Sequence, residues 1–151
     1  MKTIAIGSDH AGVELKEEIV ALLKEMGFGV KDVGTNDSQS VDYPDFGERV
    51  ADAVSKGEIE MGILICGTGI GMSIVANKFP NVRAALCGEP FSAKMSRLHN
   101  DANILVIGGR VTGRELAKDI TRVWLETPFE GGRHQNRLKK ISLIEEKTKR
   151  R

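Results

Sequence analysis

The sequence predicts an α/β fold of three layers, with a parallel sheet of about five strands between two layers of helices. Three observations predict it. Short β-branched or aliphatic runs without alternation, such as Ile63-Leu64-Ile65, read as strands buried on both faces, as strands of a parallel sheet are. Between such runs lie longer segments whose apolar residues recur at helical spacing. The 17 glycines among the 151 residues cluster where the apolar runs end, at the turns a strand-helix alternation requires.

Thr3-Ile4-Ala5-Ile6-Gly7 is the first predicted strand, and Ser8-Asp9-His10-Ala11-Gly12 is a polar tip. Leu15, Ile19, Leu22, Leu23 and Met26 form a helical stripe that Gly27 stops. Phe28 to Val33 reads as the second strand and Gly34 to Ser38 as a loop. Tyr43-Pro44-Asp45 opens a helix with proline in its first turn, Phe46, Val50, Ala53 and Val54 on its buried face, and Gly57 past its end. The central strand follows, with a helix to about Asn77. Val82 to Cys87 is the fourth strand. Glu89-Pro90 then starts a helix with Phe91, Met95 and Leu98 on one face, ending at His99-Asn100-Asp101. Asn103 to Ile107 is the fifth strand, closing in Gly108-Gly109-Arg110. Thr112 with Glu115 reads as a capping box ahead of Leu116, Ile120, Val123 and Trp124.

A loop over 127–132 precedes a last helix at about 133–148, with Leu138, Ile141, Leu143 and Ile144 among many basic residues. The alternation is that of a single αβα, Rossmann-like domain over 1–151 with right-handed crossovers, and a flavodoxin-like strand order is the prior for it. The last helix comes after the sheet is covered. It can pack on its own domain or on another subunit.

The composition excludes several classes of function. The 22 basic and 21 acidic residues leave a net charge of +1, which argues against a nucleic-acid or membrane surface. Apolar runs are too short to span a bilayer, and the N-terminus lacks the apolar core of a secretion signal. Cys66 and Cys87 each end an apolar run and form no CxxC, so neither a disulfide scaffold nor a zinc site is expected and a reducing cytoplasm fits. The three histidines lack metal-ligand spacing, so no metal is expected, and no cofactor either.

The organising stretch is Gly62-Ile63-Leu64-Ile65-Cys66-Gly67-Thr68-Gly69-Ile70-Gly71-Met72-Ser73. Alternate glycines after a strand let the backbone turn tightly and bring its N–H groups close to a ligand. The following helix points its positive end at the same spot, which favours the thiolate of Cys66. The combination points to a base or nucleophile beside an anion hole. The loop is no P-loop, because no Gly-Lys-Ser/Thr follows. It also departs from a dinucleotide fingerprint, with Met72 where the third glycine belongs, although Glu89 lies in range for a ribose-binding acid.

Other candidates gather near predicted strand ends: Asp9 and His10, Thr68, His99 to Asp101, and Arg110, all of which can lie along one sheet edge. Each has a plainer reading. Asp9 can cap the next helix, His99 can serve a helix C-terminus, and Cys87 reads as a core thiol. Arg133 and Arg137, spaced i,i+4 around His134, can form a phosphate clamp with Arg110, since guanidinium forks suit phosphate oxygens. The alternative is a solvated basic face continuing into Lys139, Lys140 and the Lys147–Arg151 tail, and for the tail that reading is preferred.

Gly-Ser-Asp-His-Ala-Gly at 7–12, Asp-Tyr-Pro-Asp at 42–45, Cys-Gly-Thr-Gly-Ile-Gly at 66–71, His-Asn-Asp at 99–101, Gly-Gly-Arg at 108–110 and Gly-Gly-Arg-His-x-x-Arg at 131–137 together resemble the B-type ribose-5-phosphate isomerases. The resemblance runs in register from residue 3 to about residue 145. It implies metal-free interconversion of ribose 5-phosphate and ribulose 5-phosphate through an enediolate, with Cys66 as the base moving a proton between C1 and C2. It further implies that backbone N–H groups of Gly67, Gly69, Ile70 and Gly71 hold the oxyanion and that Thr68 orients the enediolate. His99, with Asp9, would assist ring opening; His10, Tyr43 and Asn100 would line the sugar; Arg110, Arg133 and Arg137 would hold the phosphate. Homodimers with composite sites, or dimers of dimers, are implied as well.

Independently of the resemblance, aldose–ketose isomerisation needs one base, one oxyanion hole and one anion anchor, and the sequence offers each. Related isomerases act on six-carbon sugar phosphates such as allose or galactose 6-phosphate. Some of those lack the cysteine, so its presence favours the pentose. A nucleotide-binding module would leave Cys66 idle, and a cysteine hydrolase or redox protein would need a resolving cysteine or acyl-transfer motif that does not accompany it.

Overall fold

The computed structural model describes residues 1–149; the last two residues of the basic tail lie outside the described residues. Strands β1 (Thr3–Ser8), β2 (Gly29–Asp32), β3 (Met61–Cys66), β4 (Ala84–Leu86) and β5 (Ile104–Gly108) form one sheet in the order β2-β1-β3-β5-β4, every pairing parallel. The flavodoxin-like expectation therefore fails at one place: β5 lies between β3 and β4. Burial explains it. All five residues of β5 are buried, whereas β4 has three residues, none of them buried. A fully apolar strand gains most in the middle, and a short strand makes a safe edge.

Right-handed crossovers over this order place α1 (Val13–Glu25) and α4 (Pro90–Asn100) on one face, and α2 (Tyr43–Ser55) and α3 (Ile70–Ala76) on the other. The two cores follow. Ile4, Ile6, Ile63, Ile65, Leu105 and Ile107 pack against Ile19 and Leu23 of α1, Ala93 of α4, and Ile120 and Trp124 of α5 (Arg114–Glu126). The alternate residues Ala5, Leu64, Cys66, Ile104 and Val106 pack against Val50 and Val54 of α2 and Met72 and Ala76 of α3. Period-2 alternation thus divides one set of strands between two helix layers.

Three helix expectations need correction. The Phe91–Met95–Leu98 stripe of α4 is not its inward face. Ala93, Ser96 and Arg97 are buried instead, while Phe91 is exposed. Small residues let α4 approach closely, and the Arg97 guanidinium is satisfied by Asp101 Oδ1 at 2.9 Å and by the carbonyls of Ala102 at 2.6 Å and Thr127 at 3.2 Å. The Thr112–Glu115 capping box does not form: Gly113, in extended conformation, is the N-cap of α5 and no side chain caps it. Leu116 accordingly faces outward, and Ala117 takes its inward place. The last helix, α6 (Arg133–Thr148), has the expected bounds. Leu138 is buried, but Ile141, Leu143 and Ile144 are exposed. Among the described residues, no helix is long and apolar enough to cross a membrane.

Candidate active site

β1 and β3 are neighbours, yet α1 leaves β1 for one face of the sheet and α3 follows β3 on the other. The crevice outside their C-terminal ends is where open α/β sheets bind ligands. Backbone hydrogen bonds bring three loops together there. Asp9 N–H donates to the Ile65 carbonyl (3.2 Å), Gly109 N–H to Cys66 (2.7 Å) and Arg110 N–H to Gly67 (2.9 Å). Asp9, His10, Cys66, the glycine loop and Arg110 therefore share one edge.

Asp9 does cap, as its plainer reading expects: Oδ1 accepts from Ala11 N–H at 3.0 Å in a 3-10 turn, His10–Gly12. Its other oxygen makes no bond within the described residues. His10 Nδ1 accepts from Val41 N–H at 3.1 Å, so a neutral His10 carries its hydrogen on Nε2, free to donate. Gly69, at φ +83°, reverses the chain between Cys66 and α3. Gly71 is required for a different reason: a Cβ there would lie 2.5 Å from the Tyr43 ring, which lies against the loop. Within the loop, Ile70 N–H is taken by Thr68 Oγ1 at 3.2 Å. Among the described residues, the N–H groups of Gly67, Thr68, Gly69 and Gly71 have no protein acceptor. The Arg110 guanidinium lies over Gly67, its Nη1 3.5 Å from where a Cβ would stand.

Cys66 is nearly buried and its thiol is free. Cys87 is also free, and burial pushes its thiol up to about 11, so it stays protonated as a core thiol. A groove of about 930 Å³ runs from His10 and Gly109 along α1, lined by Glu14, Glu17 and Glu18. Those carboxylates make it a poor phosphate site, and the candidate residues of the Cys66 edge lie beside it at the crevice.

The other candidates are elsewhere. Because α4 and α5 run back across the sheet, His99 and Asn100 end α4 at the N-terminal edge of the strands, and α6 begins at that same edge. There Arg83, just before β4, donates to the Asn100 carbonyl at 3.1 Å. So the expectation that His99 to Asp101 join Cys66 on one edge is wrong for a single chain. His99 is not beside Asp9, and Arg133 and Arg137 do not join Arg110. The candidate residues fall into two groups, at opposite edges of the sheet.

Two residues beside the second group were not singled out from the sequence. His134, buried, stacks on His99 with centroids 4.2 Å apart and planes at 13°. Glu130 is held beside them by its own N–H, which donates to the Leu98 carbonyl at 3.1 Å. Burial first, then the His99 charge, lowers the proton affinity of His134 below the ordinary imidazole value. The ligating atoms of His99, Glu130 and His134 lie within 4.8 Å of one another. Imidazole lone pairs lie in the ring planes, and nearly parallel stacked planes cannot converge on one ion at about 2.1 Å. The only local sign of His134 in the sequence was its place between two arginines.

Comparisons with known proteins agree on one family. The profile described as ribose/galactose isomerase matches residues 4–141. Ribose-5-phosphate isomerase B of Escherichia coli is 55% identical over 147 residues, 97% of this chain and 99% of that protein. The D-erythrulose-4-phosphate isomerase of Pectobacterium atrosepticum is 42% identical, covering 99% of each. The solved structure of ribose-5-phosphate isomerase B from Clostridium thermocellum superposes with a TM-score of 0.94 at 56% identity, over 96% of this chain and 98% of that one.

Proposed function

The chain belongs to the ribose/galactose isomerase family, and from that premise we propose that it interconverts ribose 5-phosphate and ribulose 5-phosphate through an enediolate, with Cys66 as the base. The observation that carries the mechanism is the cradle beside the thiol, in which four backbone N–H groups lack a protein acceptor among the described residues. Cys66 takes the proton from C2 of the open aldose and returns it to C1. The negative charge that develops on oxygen meets the N–H groups of Gly67, Gly69 and Gly71, donors fixed before the reaction begins. Thr68 orients the enediolate, with Ile70 completing the loop.

Ribose 5-phosphate is mostly a closed furanose, so ring opening comes first. His99 gives a proton to the ring oxygen while the free oxygen of Asp9 takes the hydroxyl proton, a general acid–base pair. His10, Tyr43 and Asn100 line the sugar. Arg110, Arg133 and Arg137 hold the phosphate by charge-assisted forks.

This assignment requires a second copy, because the two half-sites of one chain lie at opposite edges. In a two-fold dimer each chain lends its Cys66 edge to one site and its His99 edge to the other. Exposed apolar surface supports the association: Ile141, Leu143 and Ile144 on α6, and Leu86, Phe91, Ile70 and Ile74 around β4 and α3. The dimer, alone or paired with another, is thus part of the proposal, with α6 at its interface in an otherwise single-domain chain. Two free thiols suit a reducing cytoplasm.

Proton NMR of ribose 5-phosphate in D₂O with a chelator tests the function. Ribulose 5-phosphate is expected, with deuterium at C1 to the extent that the Cys66 thiol exchanges its proton with solvent before returning it. Turnover confined to erythrulose 4-phosphate, or to allose or galactose 6-phosphate, would move the assignment to those sugars. A reaction abolished by the chelator would overturn the mechanism.

A further inference from the structure

His134 has no part in the reading above, yet its place is unusual. Its ring is buried against His99, and its Nε2 has no hydrogen-bond partner among the described residues. The nearest carboxylate oxygen, Glu130 Oε1, is 3.9 Å away. In sequence it stands between Arg133 and Arg137 in one helical turn, so the clamp and the plate under His99 are a single piece of α6. The charged and titratable groups around the stack are His99 from α4, Glu130 from the loop before α6, and Arg133 and Arg137 from α6 itself.

Two imidazoles stacked this closely hold at most one proton between them, because a second charge would face the first across about 4 Å. With the clamp empty, two guanidiniums oppose even that proton, and Glu130 alone favours it. An anion on the guanidiniums reverses the balance. We propose that substrate phosphate seated on Arg133 and Arg137 loads the His99–His134 stack with its proton, His134 being the positioning residue through which the clamp acts on His99. The proposal rests on the clamp and ring-opening roles given above. The proton comes from solvent as the phosphate binds and leaves to the ring oxygen, so the acid is charged only when the substrate's far end is correctly held.

The test follows the Cε1–H resonances of the three histidines against pH in the intact protein, with inorganic phosphate as the probe. Phosphate is expected to raise the midpoint of the stack by about one pH unit, a tenfold gain in proton affinity. By linkage, the phosphate dianion, counted as that species at each pH, then binds about tenfold more tightly at pH values below both midpoints than above them. Arg137→Gln loses phosphate binding and the shift together. His134→Gln keeps phosphate binding and loses most of the shift at His99. Phosphate that binds without moving the midpoint overturns the coupling and leaves the clamp standing. Phosphate that does not bind the wild type overturns both. A full shift at His99 in His134→Gln removes His134 from the scheme.

Discussion

Mixing two inactive variants is expected to restore activity. β3 crosses the sheet in six residues, which at about 3.3 Å per residue separates the two edges by roughly 20 Å. Proton transfer needs heavy atoms within about 3 Å, so Cys66 and His99 of one chain cannot serve the same sugar. In a two-fold dimer of Cys66→Ala every site lacks the base, and in His99→Asn every site lacks the ring-opening acid. Refolding equal amounts together makes about half of the dimers mixed, and each mixed dimer has one site with both native residues and one with neither. The mixture should therefore show about a quarter of wild-type activity, well above either parent, since losing a general acid alone costs roughly 10²–10⁴-fold. Ribulose 5-phosphate formation, followed continuously by absorbance, gives the readout. A mixture no more active than the mean of its parents would refute the division of the site between chains.

Three further outcomes follow from the geometry. Lys16 is almost fully buried, its Nζ donating to Asp32 Oδ2 at 2.6 Å and Asn36 Oδ1 at 2.7 Å; Asp32→Ala strands that charge and should cost about 3 kcal/mol in urea unfolding, the low end because Asp32 is partly exposed, whereas Lys16→Met should cost about 1 kcal/mol or less. Equal costs would contradict the stranded-charge account. Gly71→Ala forces the half-exposed Tyr43 ring aside and should raise KM about tenfold, as loss of one good polar contact does, with the melting temperature little changed; an unaltered KM would remove Tyr43 from the sugar site. Finally, the folded state resists protonating His134, whose ordinary value is 6.5. The stability this contributes is present above that value and is lost as pH falls below it through the lowered folded value. The melting temperature of His134→Gln should fall less steeply with acidification than that of the wild type, in thermal scans across that range.

The glycine loop and α6 were legible because their signals are local. Alternate glycines after an apolar run have few other uses, and α6 begins where Gly131-Gly132 ends the preceding loop. Strand order was not legible: periodicity reports how deeply a strand is buried and says nothing of its neighbours. The placement of His99 was within reach of the sequence. An eleven-residue helix that follows a parallel strand carries its last turn about 16 Å back toward the opposite edge, so a histidine there cannot share an edge with Cys66. The Phe91–Met95–Leu98 stripe misled for a related reason: an apolar face marks a buried face only when the chain itself supplies the cover, and among the described residues Phe91 is left largely exposed.

The position of β5 has a consequence for biosynthesis. β4 pairs with β5, and β3 presents its second edge to β5, so the strand that joins them is the last of the five to leave the ribosome. Until about residue 108 has emerged, the nascent chain holds three strands that can pair and a fourth with no native neighbour. The tempting error is β3 against β4, adjacent in sequence but never in the finished sheet. The brevity of β4, three residues long, keeps that wrong pairing weak enough for a late central strand to displace it.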